Sequence, residues 1–340
     1  MKEVSLDEAN YKLPGGLSAF QRKLYRQLIA WKHINICREP GLVNGREYDA
    51  VLPAQYRPED HLLYPPIRQR FLDHQKKHFF KFHRYMNHMA SSQAACANLF
   101  LPLLKETESG AAVLRTVKPD LKSIATGYLD GGFRIEFWDE PDNMLNDHNL
   151  ATGTDADFAI AYYDFEGRLK LWLIEHKLSE REFTPCGAYS SKGRTAAHRC
   201  SPTADVMQNP ELCYYHNPRG YRYWDLTLKD ARVFKLEKIA ATSLCPFKGG
   251  MNQLWRNMLL ARAIEESNSA AWPYEEVYFS VVVHPENHSL DRSMNAFKQL
   301  LSAEDRFFSF TSRQLVDAAS KANSPKLRAW AEWYMGLYYW

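Results

Sequence analysis

The chain has 340 residues, of which 45% are hydrophobic and 24% charged, with a formal net charge of +3. That balance excludes a disordered chain, and so small a basic excess neither requires nor rules out nucleic acid. No stretch supplies the roughly 18 consecutive apolar residues of a membrane span. The start MKEVSLDEANYKLPGG lacks a secretory pattern, and six cysteines are too few for a disulfide scaffold, so a cytoplasmic protein with reduced thiols is expected.

In residues 17–36, after a Pro14-Gly15-Gly16 turn, Phe20, Leu24, Leu28 and Trp31 recur at helical spacing while Arg22, Lys23 and Arg26 lie largely off that stripe. This predicts an amphipathic basic helix. The proline-rich stretch 37–66 reads as irregular connection. A second helix is expected over 67–89, with Phe71, Phe79, Phe82 and Met89 on one face and Arg70, His74, Lys77, Lys81, Arg84 and His88 in a stripe beside it. Arg70, Lys77, Lys81 and Arg84 are the expected phosphate contacts, because basic groups on one face can follow a polyanion. An ordinary solvated face is the plain alternative. Residues 91–104, SSQAACANLFLPLL, are small and apolar enough for a buried helix packed on a sheet.

From Phe133 the period changes. Residues 133–138 (FRIEFW), 157–163 (DFAIAYY) and 168–177 (RLKLWLIEHK) read as strands, the last two joined by a turn at 164–167. Residues 178–225 form a long, cysteine-bearing insertion punctuated by prolines. A helix over 251–267, a buried strand over 276–285, a strand at 306–310, and helices over 312–322 and from 325 onward complete the chain. The order helix, three strands, helix, strand implies an α/β fold with a mixed central sheet flanked by helices.

The sharpest signal is GTDADFAIAYYDFEGRLKLWLIEHK, where one strand begins with Asp157 and the next ends with Glu175 and Lys177. Residues two apart share a strand face, so Glu175 and Lys177 project together and His176 points away. If the turn pairs Tyr163 with Leu169, counting back puts Asp157 opposite Glu175; a one-residue slip would turn Asp157 away. Two carboxylates so placed repel each other unless a cation lies between them, and a hard oxygen-seeking cation such as magnesium suits the pair. The plain alternative is a surface ion pair of Glu175 with Lys177.

This segment resembles the PD-(D/E)xK nuclease superfamily, with its restriction-endonuclease-like core. The resemblance covers roughly residues 91–285 and implies metal-dependent hydrolysis of phosphodiesters. By that resemblance Asp157 and Glu175 are metal ligands, the main-chain carbonyl of His176 is a further ligand, and Lys177 positions water or stabilises charge. Thr154-Asp155-Ala156-Asp157 replaces the usual Pro-Asp, leaving Asp155 as a rival ligand. The acidic residue often supplied by the first helix is missing, so Gln93 or Asn98 would substitute, and Gln253 resembles a glutamine that some exonuclease branches place near the site.

Cys186, Cys200, Cys213 and Cys245 all follow the catalytic strand, and some nucleases of this superfamily carry a four-cysteine iron-sulfur cluster. No pair has C-x-x-C spacing, so buried thiols acting as small hydrophobes are the favoured reading, with a cluster as the alternative. His176, His198, His216 and His284 lack metal-ligand spacing. The expectation is therefore a helical, basic extension at 1–90 and a nuclease-like domain at 91–340 carrying the 178–225 insertion. It hydrolyses DNA with Mg2+ or Mn2+, with RNA open as substrate, homodimerisation possible and restriction or defence as a role by analogy. A catalytically inactive nucleic-acid-binding protein on the same fold is the rival.

Overall fold

The computed structural model describes residues 11–149, 153–190, 200–229, 232–267 and 269–340. Helix α1 (Ala19–Asn35) opens on a capping box in which Ser18 Oγ accepts the Gln21 N–H and the Gln21 side chain accepts the Ser18 N–H. Stretch 37–66 is less irregular than its prolines suggest. Asn44 and Gly45 both adopt positive φ and close a small hairpin of β1 (Gly41–Val43) and β2 (Arg46–Tyr48).

The second helix is much shorter than expected: α2 (Arg68–Lys77) ends at His78, whose φ and ψ are −124° and 69°. Buried Gln93 is the reason. Its amide accepts the His83 N–H at 3.0 Å and donates to the Lys81 carbonyl at 3.2 Å, so these backbone groups are spent on a side chain instead of a helix. Arg70, Lys77, Lys81 and Arg84 are consequently not one helix face.

Helix α3 (Ser92–Lys105) is capped by Ser91 and buried along nearly its whole length, with Phe100 stacked on Phe158 at 5.1 Å. Its Asn98 is structural. It accepts the Tyr64 N–H and donates to the Leu62 carbonyl and the Tyr338 hydroxyl, which uses its polar atoms within the core. Helix α4 (Thr107–Leu114) follows.

The sheet comprises β3 (Ser123–Ile124), β4 (Phe133–Phe137), β5 (Ala156–Tyr163), β6 (Leu169–Lys177), β7 (Glu276–Val283) and β8 (Phe307–Thr311). β3 and β4 both pair with β5, and the order continues β5, β6, β7, β8. The β3, β4 and β6 pairings with β5 are antiparallel, while β6–β7 and β7–β8 are parallel, which makes the sheet mixed. At the β5–β6 turn, Asp164 Oδ1 accepts the N–H groups of Glu166 at 3.0 Å and Arg168 at 2.9 Å, and Gly167 takes φ +82°. That Asx-type turn holds Tyr163 opposite Leu169.

Helices α5 (Asn252–Glu265) and α6 (Asp291–Gln299) cover one sheet face; α3, α7 (Ser312–Ser320) and α8 (Pro325–Tyr338) cover the other. Buried residues from 24–90, including Leu24, Leu28 and Phe71, share one apolar core with α3 and α8. Among the described residues no helix is long and apolar enough to cross a membrane.

Candidate metal-binding active site

The register expected from the turn is the one observed. Phe158 pairs with Ile174, so continuing one residue places Asp157 opposite Glu175. Lys177 Nζ lies 2.9 Å from Glu175 Oε1 on the same strand face. The α5 helix supplies the remaining partners of Glu175: Gln253 donates to Oε1 at 2.7 Å and Asn257 to Oε2 at 2.9 Å. Glu175 is 1% exposed, so these donors and Lys177 replace the water it has lost.

A third carboxylate, which no sequence pattern marks, joins them from β4. Ile135 pairs with Phe158 and Phe137 with Ala156, which sets Glu136 between them beside Asp157, and Glu136 adopts φ +48°. Left-handed backbone in a glutamate within a strand is strained and marks a position held by its surroundings. The carboxylate accepts from Gln93 Nε2 at 2.8 Å and lies 3.4 Å from His83 Nε2. Gln93 thus reaches Glu136 from α3 and holds an acidic residue of the neighbouring strand.

Electrostatics follow from this crowding. Loss of water and the charges of Glu175 and Glu136 push the Asp157 carboxyl well above its ordinary value, against the pull of Lys177 and of the His176 N–H. Burial works against the Lys177 ammonium, yet Glu175, Glu180 and Asp157 together raise its pKa, so it remains charged. The bond from Glu136 raises the His83 imidazole in spite of burial. The His176 ring sits on the opposite face, where burial pushes it down to about 4, and only its main chain faces the site.

Asp155, the rival ligand, lines the same groove as Glu136. Its carboxylate meets His148 Nε2 at 2.6 Å, and that imidazole stacks on Trp138 at 3.8 Å. Thr154 hydrogen-bonds to Asp147, which also accepts from the Tyr223 hydroxyl at 2.6 Å, and Arg256 donates to the Gly153 carbonyl at 3.0 Å. These contacts moor the approach to β5. Asn257 was not singled out by the sequence either, although it lies four residues after Gln253 and therefore on the same helix face.

Of the expected phosphate contacts, Lys77 and Lys81 line a groove with Glu136, Trp138 and His148. Arg70 instead lies over the Phe133 ring at 4.6 Å, and Arg84 over Tyr85 in a separate hollow. Among the described residues, the group whose ligand atoms all lie within 4.8 Å of one another and could hold a metal ion is not Glu136, Asp157 and Glu175 but His74, His78 and Asp130. There His74 Nε2 accepts the Ile135 N–H, so the ring proton sits on Nδ1 facing Asp130, and a metal would have to displace it.

Cys186, Cys200, Cys213 and Cys245, far apart in sequence, line one pocket. His216 bonds Asp225, His284 packs on Trp340, and His198 lies outside the described residues. No curated protein and no solved structure matches the chain. Over residues 26–338, however, it matches the family described as Restriction Endonuclease associating with ARP, and with its restriction-endonuclease-like fold the chain belongs to that PD-(D/E)xK-related family.

Proposed function

We propose that this protein is a magnesium- or manganese-dependent nuclease that hydrolyses DNA phosphodiester bonds at Asp157, Glu175 and Lys177. The observation that carries this reading is that Glu136, Asp157 and Glu175 come from three adjacent strands, with Asp157 opposite Glu175 and beside Glu136, while a lysine that stays charged lies 2.9 Å from Glu175. An all-oxygen set of carboxylates with the His176 carbonyl fits a hard divalent cation. Bound by Asp157, Glu175 and that carbonyl, with Glu136 close by, the cation would polarise the scissile phosphate and lower the pKa of water.

The chain's own groups do the rest. Gln253 and Asn257 fix both oxygens of Glu175, which keeps that ligand in one orientation. Lys177 offers an N–H donor to negative charge developing on the phosphate. Lys77 and Lys81, beside the groove that runs past Glu136, are placed to meet the polyanion backbone. Membership of a family described as a restriction endonuclease supports a role in restriction or defence. The test is incubation of the wild type with supercoiled plasmid, with and without Mg2+ or Mn2+. Metal-dependent nicking or linearisation is expected; binding without cleavage under either metal would establish the inactive binder instead.

A further inference from the structure

Residues 77–85 read Lys-His-Phe-Phe-Lys-Phe-His-Arg-Tyr, with basic groups and aromatic rings interleaved. Beyond the end of α2 the stretch is neither helix nor strand, and side chains hold its backbone. Gln75 donates to the Phe80 carbonyl at 3.1 Å, and Gln93 takes the Lys81 carbonyl and the His83 N–H. Alternate side chains consequently part company. Phe80 and Phe82 turn inward onto Phe71, at 5.7 and 5.9 Å between ring centres, while Phe79, Lys81 and His83 are exposed. Phe79 is 77% exposed and Tyr85 47%.

Two hollows border this outward row. Phe79 lines the first with Lys77, Lys81 and Glu136, and Tyr85 lines the second with His83, Arg84 and Ser179. His83 ties the two together, since its Nε2 lies 3.4 Å from Glu136 Oε1. Each hollow joins an aromatic ring to cations. Lys77, tethered to Asp130 at 2.6 Å, stays largely exposed beside Phe79, and the Arg84 guanidinium lies over the Tyr85 ring at 5.4 Å.

A single exposed phenylalanine needs no explanation. An exposed ring set between lysines, in the groove that holds a carboxylate of the proposed metal site, calls for a ligand that is anionic and flat-faced at once. Duplex DNA offers mainly the first property at its surface, because its bases are stacked on one another and its phosphates lie outside. An unpaired strand offers both in alternation: phosphates for the cations, and base faces for the rings. Stacking a base on Phe79 would also remove from water an apolar surface that the folded chain leaves there.

We propose that residues 77–85 form a track for single-stranded DNA, with unpaired bases stacking on Phe79 and Tyr85 and the strand passing Glu136 between them. This rests on the nuclease reading for its substrate and narrows it to an unpaired strand. Negative supercoiling favours strand separation, so a supercoiled plasmid supplies such stretches.

The test is fluorescence anisotropy of the full chain in EDTA, with a labelled oligothymidylate and with a duplex of the same length. Tighter binding of the oligothymidylate, by about 10-fold or more, is expected from two stacked bases. Phe79→Ala and Tyr85→Ala should each weaken that binding by about 5- to 100-fold. Neither should change the salt slope, because neither residue carries a charge to release counterions. Phe79→Trp should bind as the wild type does. Wild type that binds the duplex as tightly as the oligothymidylate overturns the proposal, as does wild-type affinity for the oligothymidylate in both alanine variants. The wild-type comparison decides the matter even if a variant folds poorly. No cleavage enters this measurement. A chain that nicks plasmid but does not prefer the single strand sinks the track and leaves the nuclease standing; one that prefers the single strand and cuts nothing does the reverse.

Discussion

Asp157 Oδ2 accepts the main-chain N–H of His176 at 2.7 Å, so the acidic residue at the start of β5 is anchored to the strand that carries its counterpart Glu175. Anchored there, Asp157 endures the charges of Glu175 and Glu136. Between the ordinary value of 3.8 and its raised folded value it binds a proton in the folded chain that the unfolded chain has released. Stability therefore falls as pH rises through that window, by about 1.4 kcal/mol per pH unit. Asp157→Asn should raise the melting temperature at pH 7 without metal, gain little at pH 4, and abolish cleavage. Equal melting of the two proteins at pH 7 would contradict the repulsion.

Asp157, Glu175 and Lys177 should fail in different ways. Alanine at Asp157 or Glu175 removes a metal ligand, so calorimetric Mg2+ affinity and cleavage should fall together. A protonated Lys177 has no lone pair for a metal, so Lys177→Ala should keep metal binding while the single-turnover rate falls about 100-fold or more. Asp155→Ala should be milder, because its carboxylate is committed to His148. A stronger defect in Asp155→Ala than in Asp157→Ala would move the site.

Asn257 is 1% exposed and donates to Glu175 Oε2. Asn257→Leu leaves that oxygen without its donor, which costs about 1.5 to 3 kcal/mol for a bond to a charged group. Chemical denaturation should record that loss, with cleavage reduced because Glu175 is less firmly oriented. Wild-type activity in a destabilised Asn257→Leu would show that the bond serves stability alone.

His83 faces Glu136, which raises its folded pKa above the ordinary 6.5. The contact stabilises fully below 6.5 and is lost as pH rises through the raised folded value. An NMR titration of the His83 ring should give a value above 6.5 that drops in Glu136→Gln. A titration unaffected by Glu136→Gln would refute the pairing.

The double variant Lys77→Ala, Lys81→Ala should weaken DNA binding and reduce its logarithmic salt slope by about 2, roughly one per phosphate contact. Arg70→Ala should change the slope less, since that guanidinium lies over Phe133. Filter binding across a salt series distinguishes the two, and an unchanged slope in the double variant would remove these lysines from the interface.

Where contacts are local, the sequence by itself narrowed the choice. The Asp164 turn closes within five residues and marked the β5–β6 hairpin with Glu175 and Lys177 on one strand face, but the register that sets Asp157 opposite Glu175 was one of two until the structure selected it. Hydrophobic periodicity likewise marked α1, α3, α5 and strands β4 to β7. Only the tertiary structure decided that Glu136 joins the carboxylates, because that depends on the β4–β5 pairing across an intervening loop and on a left-handed backbone at one residue. It also ended α2 early, since the competing hydrogen bonds at Lys81 and His83 come from Gln93, 10 to 12 residues away. The convergence of Cys186, Cys200, Cys213 and Cys245 was equally hidden, because chain closure over such separations leaves no spacing rule in the sequence.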